Sequence, residues 1–298
     1  GVYYRHHSKW EPRSPAWMFV SWRQPGVFDA PIVADQKVLW MHDVDAGDLL
    51  TEGRAAKIDR LWVMSRWHRS HILQTYRFLQ DEQILVVGNG IDPERFAAEI
   101  EREDAVIYSS SPDRGLEQAL TYWPEIRTKT GAELRIFYGW ETWDRMKGDE
   151  RQPGYKKRIM DLAAQEGVVW KGRVGQHDLA REMMRAKVML YPGPHPFCET
   201  FCISALEAQA AGCVPVTRDN GALPETNRHG IVVPNDAKPA RWVAAVQEAL
   251  TVSDATRTKM RQWALGQTWM AVAERVIQGS IALDTSRQNK ESQLAVSA

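Results

Sequence analysis

Two glutamates, Glu199 and Glu207, stand eight positions apart in the stretch Tyr191-Pro-Gly-Pro-His-Pro-Phe-Cys-Glu199-Thr-Phe-Cys-Ile-Ser-Ala-Leu-Glu207. A strand reads out at Tyr191, a proline-rich loop follows, and a helix opens around residues 201–204. Backbone N–H groups of Phe201, Cys202 and Ile203 at such a start face any phosphate placed there, and the helix dipole adds to the attraction. The two carboxylates are separated by roughly 12 Å of rise if both are helical, enough to grip opposite ends of an extended ligand. As plain structure, Glu199 reads as an N-terminal capping carboxylate and Glu207 as a solvated helix residue. Ala205, Leu206, Ala208 and Ala210 around Glu207 argue instead for a buried helix. A carboxylate buried there needs a partner.

The elements that must position these groups follow from the alternation of short β-branched runs with longer amphipathic stretches. Strands are expected over 17–22, 38–42, 61–65, 84–87, 105–109, 134–138, 168–170, 188–191, 214–217 and 231–233. Helices are expected over 66–79, 116–127, 155–165, 177–186, 204–211 and 239–250. Such an α/β alternation needs crossover helices and gives mostly parallel sheets, with ligands at the carboxyl ends of strands. Gly88-Asn-Gly90-Ile-Asp92-Pro93 combines turn formers with a proline that turns Asp92 away from helix, and marks an internal boundary. Six strand candidates after it make a complete doubly wound domain. About four precede it, few for a companion of the same kind. Two further helices, over 255–265 and 268–281, carry Trp263, Trp269, Met270, Val272 and Val276 at core-facing spacings. Residues 284–298 read as a frayed polar tail. The expected organisation is therefore a partial domain over 1–98, a complete one over 99–252, helices over 253–283 and the tail.

Composition removes several function classes. The 298 residues hold 38 Lys+Arg against 38 Asp+Glu, so no net basic field draws the chain to nucleic acid. Tryptophans interleaved with basic residues, as in Trp62-Val-Met-Ser-Arg-Trp67-His-Arg69, are better explained by packing. No apolar run approaches the roughly 18 residues of a membrane span, and no signal peptide is visible. Peripheral membrane contact through the Trp-rich first portion stays open. Cys198, Cys202 and Cys213 form an odd set that closes no complete disulfide framework, which favours a reducing, cytoplasmic compartment. No metal site is expected, because these cysteines with His195 do not assemble a ligand set. Gly88-Asn-Gly90 lacks the third glycine of a dinucleotide-binding fingerprint and reads as a turn. The chain opens on Gly1 rather than Met, which suggests a fragment or a processed product.

Beyond Glu207 the sequence runs Ala208-Gln-Ala-Ala-Gly212-Cys-Val-Pro215-Val216, then Gly221-Ala-Leu-Pro224-Glu225 and Gly230-Ile-Val-Val. With the Glu-x7-Glu pair, this resembles the retaining nucleotide-sugar glycosyltransferases of the two-domain GT-B architecture, in particular glycosyltransferase family 4 (group 1). The likeness extends upstream. Ala105-Val-Ile-Tyr-Ser-Ser-Ser-Pro-Asp-Arg114-Gly115 is similar to the family's first C-domain strand and loop, and Leu134–Gly139 and Val168–Gly175 to later strands and loops. Trp62–Trp67 and Val87–Phe96 resemble the closing elements of its N-domain. Thr200-Phe201-Cys202 stands where members commonly have Gly-Phe-Gly, and Ser109-Ser110-Ser111 where many carry a further Arg.

The resemblance implies an α/β, GT-B-like fold of two Rossmann-like doubly wound domains, the N-terminal one incomplete. It implies a retaining, metal-independent transfer from a nucleotide-diphosphate sugar to a saccharide, lipid-linked or other acceptor, with no cofactor. Glu199 becomes the carboxylate beside the donor sugar and Glu207 the acceptor of the ribose hydroxyls. Arg114 and Gly115, with the amides of Thr200, Phe201, Cys202 and Ile203, hold the diphosphate, aided by Lys171 or Arg173. His42, at the end of a first-portion strand, matches the family's N-domain histidine facing the donor sugar, with Asp43 to orient it; taken alone it reads as structural. Residues 172–175 and those around His195 choose the donor. Alternatives are a non-catalytic or truncated nucleotide-sugar-binding module, a GT-B nucleotide-sugar epimerase and a sugar phosphorylase.

Overall fold

The structure, a computed structural model, describes Tyr4 and residues 6–193 and 197–282. His195 and the expected tail at 284–298 lie outside the described residues. The ten expected strands all form. They are β1 (Ala16–Trp22), β2 (Ala34–Trp40), β3 (Arg60–Val63), β4 (Ile84–Val86), β5 (Glu103–Tyr108), β6 (Glu133–Ile136), β7 (Val168–Trp170), β8 (Ala186–Tyr191), β9 (Val214–Arg218) and β10 (Ile231–Val233). Every pairing between them is parallel.

The chain folds into two units. The first takes the residues up to Gly88 and the described residues from Val272; the second runs from Asn89 to Ala271. The separate C-terminal piece expected at 253–283 is thus shared between them. The break at Gly88 also moves residues 89–98 into the second unit. Gly90 permits this path, because a Cβ there would land on the backbone of Thr268 and Trp269, and Ile91 bridges to Thr268. Trp269 and Met270 do not face a core as expected. They are exposed, whereas Val272 is buried and Val276 packs on Val38, Trp62 and Val87.

The first unit carries a four-stranded sheet in the order β1-β2-β3-β4. Leu39, Leu61, Val63 and Ile84 from its strands pack with Phe28, Met41 and Ile72. The Arg66–Thr75 helix starts where the Ser65 side chain accepts the His68 amide, a cap that satisfies one of the first-turn donors. It stops short of the expected residue 79 at Tyr76, whose hydroxyl accepts from the Ala46 amide and donates to Gly47 O.

The second unit carries six strands in the order β10-β9-β8-β5-β6-β7. Counting from its first strand, this is the doubly wound order with the reversal between β5 and β8. A crevice opens at the carboxyl ends of the strands on either side of such a reversal, and ligands of open α/β sheets bind there. Val106, Ile107, Val188, Met189 and Leu190 are fully buried at the middle of the sheet. The loops that follow β5 and β8 hold Arg114 and Glu199 respectively.

Candidate functional site

Both central strands of the second sheet end in a buried tyrosine, Tyr108 on β5 and Tyr191 on β8, and the two rings stack with centroids 6.4 Å apart. Their hydroxyls reach into the loops above. Tyr108 donates to Ser111 O at 2.7 Å, and Tyr191 donates to Glu199 Oε1. The loops also meet backbone to backbone. Gly115 has φ of +101°, and a Cβ on it would lie 2.8 Å from the Gly193 nitrogen, so a side chain there would part the loops. The Arg114 guanidinium lies over the Phe197 ring at 3.3 Å.

The helix carrying Glu207 spans Ile203–Ala211. Its small apolar sequence buries Ala205, Leu206, Ala208, Ala210 and Ala211, and it ends on Gly212 in the left-handed conformation with the Gly212 amide bonded back to Gln209 O, a common C-terminal cap. Arg102 and Arg257 donate to Ala211 O and Gly212 O, placing cations at the helix end that attracts them. The start falls within the expected 201–204: Cys202 takes φ of +67°, which is outside the helical region, so the helix opens at Ile203. The first-turn amides are those of Ile203 and Ser204, and Thr200 and Phe201 precede them. Ser204 Oγ donates to Ser109 O at 3.1 Å, tying this helix start to the end of β5.

Glu199 is held from three directions. Tyr191 bonds its carboxylate, the Ala222 amide donates to its carbonyl at 2.7 Å, and Gly221 leaves no Cβ to strike its backbone. Glu207 has the partner its context demanded: Arg95 Nη1 lies 3.3 Å from Glu207 Oε1, with both side chains largely buried. Burial pushes the Glu207 carboxyl up from its ordinary value and Arg95 opposes it. The buried Cys202 thiol sits within the field of all these charges. Burial first, then Glu199 and more weakly Glu207, push it well up, against a hydrogen bond from the Ala205 backbone and a weaker pull from Arg114. No disulfide joins Cys198, Cys202 and Cys213.

The structure thus gathers Arg114, Gly115, Glu199, Cys202, Ile203 and Glu207 around one sheet reversal. Lys171 and Arg173 lie elsewhere, after β7 at the sheet edge, where both are exposed and Arg173 donates to Thr142. His42 belongs to the first unit, beyond the carboxyl end of β2. Its ring lies 4.9 Å from Trp40 and 5.8 Å from Trp22. Burial, with a contribution from Arg23, lowers its pKa to about 4 against the pull of Asp43, so the imidazole is neutral at pH 7. Asp43 pairs with Arg23 at 3.4 Å. Three residues escaped sequence reasoning. Arg95 and Tyr191 bond the two glutamates, and Gly221 makes room for one; only the demand for a partner to Glu207 pointed toward any of them.

A family model described as glycosyl transferases group 1 matches residues 84–265, more than half of the chain. The chain belongs to that family. The matched segment holds nearly all of the second unit, both glutamates and Arg114. The group 1 chain has two parallel α/β sheets like those of GT-B glycosyltransferases. It resembles the structure of a point mutant of Staphylococcus aureus TarM in complex with fondaparinux, α-GlcNAc-glycerol and UDP, at 15% identity and TM-score 0.62 over 83% of this chain and 51% of that one. The pneumococcal O-GlcNAc transferase GtfA, in complex with UDP and GlcNAc, is similar at 15% identity and TM-score 0.63, covering 86% and 54%. The α,α-trehalose 6-phosphate synthase of Burkholderia multivorans is similar at 10% identity and TM-score 0.65, covering 86% and 67%. The group 1 chain spans about half the length of TarM and GtfA. No curated protein matches it. Among the described residues, no helix is long and apolar enough to cross a membrane.

Proposed function

We propose that this group 1 chain transfers a sugar from a nucleotide-diphosphate sugar to an acceptor hydroxyl with retention of anomeric configuration, and does so without a metal ion. The observation that carries the reading is the pair of glutamates at the sheet reversal, one anchored on Tyr191 and one on Arg95. In this reading Glu207 accepts hydrogen bonds from the two ribose hydroxyls. A carboxylate suits vicinal hydroxyls because its two oxygens offer about four acceptor sites, of which Arg95 takes one on Oε1. Arg114 and the amides of Ile203 and Ser204 meet the charge that grows on the leaving diphosphate, which is where preorganised donors lower the barrier. Glu199 accepts from a hydroxyl of the donor sugar and fixes the ring above the diphosphate. The bond from the anomeric carbon to the diphosphate oxygen breaks, the acceptor oxygen bonds on the same face, and the acceptor proton passes to the departing diphosphate. The compartment in this reading is the cytoplasm, and the acceptor is a saccharide, free or lipid-linked.

A thermal-shift screen against UDP, GDP, ADP and their sugar conjugates, followed by hydrolysis of any conjugate that binds, tests the reading. Native-state binding raises the melting temperature by mass action. Slow hydrolysis giving first the anomer present in the donor, seen by proton NMR, supports retaining transfer. Inverted product overturns retention. Binding with no hydrolysis favours a nucleotide-sugar-binding module without turnover. No shift with any nucleotide overturns both.

A further inference from the structure

Glu199 follows a loop that leaves β8 at Tyr191 and returns its carboxylate to the hydroxyl of that same residue. Tyr191 is 1% exposed, on the last position of a central strand. Its ring is clamped by the stacked Tyr108, which is itself fully buried. A side chain packed in this way has few rotamers to lose, so its hydroxyl marks a definite point above the sheet. We infer that Tyr191 is a positioning residue for the reaction, setting the orientation of the Glu199 carboxylate by donating a hydrogen bond to one of its oxygens.

The chemistry is one-directional. An ionised carboxylate only accepts, so the phenol must donate. Burial foremost, with the charge of Glu199 adding to it, pushes the Tyr191 hydroxyl well above its ordinary value, so the phenol is the proton donor of the pair. With Oε1 engaged by Tyr191, Oε2 is the oxygen left to accept from a ligand hydroxyl. Tyr108 extends the same device to the neighbouring loop. Its hydroxyl holds Ser111 O, three residues before Arg114. The stacked pair therefore ties the loop bearing Glu199 and the loop bearing Arg114 to one rigid floor, and the spacing between sugar-side carboxylate and diphosphate-side guanidinium is inherited from the spacing of β5 and β8.

The inference rests on the proposed role of Glu199, and the test separates the two. Tyr191→Phe removes a single oxygen and keeps the ring stack. Hydrolysis of UDP-glucose, UDP-N-acetylglucosamine, GDP-mannose and ADP-glucose is measured for the wild type, Tyr191→Phe, Glu199→Ala and the double variant, alongside crystal structures of the wild type and Tyr191→Phe. We expect Tyr191→Phe to lower kcat about tenfold, the usual effect of losing a hydrogen bond to a charged group, with nucleoside diphosphate affinity unchanged. In the Glu199→Ala background the same change has no further effect, because a residue acting through Glu199 has nothing left to act on. Equal losses in both backgrounds overturn the inference. So does a Tyr191→Phe crystal structure in which the Glu199 carboxylate keeps its wild-type position, an outcome that does not depend on activity. If the wild type hydrolyses none of the four donors, transfer by this chain is overturned, while the two crystal structures still decide whether Tyr191 orients Glu199.

Discussion

The Arg95 guanidinium lies 3.3 Å from the Glu207 carboxylate across 112 residues of chain, with the two side chains 12% and 15% exposed. It joins the segment just past the unit boundary to the helix at the centre of the site. Asp92, 3.7 Å from Arg95 Nε, holds the guanidinium from its other side.

Breaking this pair from one end leaves a charge without its counterion in a poorly solvated place. Arg95→Met is expected to destabilise the second unit by about 3 kcal/mol, the lower end of what removing one partner of a buried pair costs. Arg95→Met with Glu207→Leu should recover most of that loss. Urea denaturation of the four species forms the cycle, and simply additive losses would show that the pair is not coupled.

Glu207→Ala should weaken nucleoside diphosphate binding by about 1.5–3 kcal/mol, tenfold or more in Kd. Calorimetric titration with UDP, GDP and ADP gives the comparison. Unchanged affinity for the nucleotide that the wild type binds would remove Glu207 from the ribose.

Gly221→Ala tests the backing of Glu199. The position has φ of +61°, and a Cβ there falls on the Glu199 backbone. Gly131 provides the control, with φ of +69° and open space around the missing Cβ. Gly131→Ala is expected to cost about 1–2 kcal/mol from the left-handed backbone alone. Gly221→Ala should cost more and slow turnover as Glu199 shifts. Equal losses in thermal unfolding would mean that the neighbouring backbone yields.

Stability of the first unit should fall in mild acid. His68 is fully buried and its Nδ1 accepts from the Met64 amide. Burial foremost, with His71 and His42 adding to it, lowers its pKa to about 4. Its folded pKa lies below the unfolded value near 6.5, so the unfolded chain binds the extra proton between those values. Stability is complete above about pH 6.5 and drains away as pH falls toward 4, by roughly 3 kcal/mol for this residue. His42 acts in the same direction. Urea midpoints at pH 7 and pH 4.5 should show a smaller acid loss for His68→Gln than for the wild type.

The central strands of the second sheet were legible because parallel strands buried on both faces read as short apolar runs between turn residues, whereas β1, with Trp17, Val20 and Trp22 exposed, was legible only from its β-branched and aromatic residues. Glu207 was legible as a group needing a partner, since its neighbours are alanines and a leucine. The partner itself was not: nothing in the spacing of Arg95 and Glu207 announces a contact that only the crossover connections create. Helix starts were blurred for a different reason. Residues 201–203 carry no capping side chain, and the helix is delayed by the backbone of Cys202, a left-handed residue that composition does not flag. Tyr191 looked like any strand-ending aromatic until its hydroxyl had somewhere to go.

The helix at 269–282 returns to the first unit, with Val276 on its core and Ser280 O accepting from Gln36. During synthesis this orders events. The second unit is a single continuous segment and can close on itself as soon as residue 271 clears the ribosome. The first unit must wait on the order of ten seconds or more for that intervening stretch at ordinary elongation rates. Through that interval Val38, Trp62 and Val87 have Met18, Trp40 and Leu85 beside them but lack Val276, so this face of the first sheet is completed last.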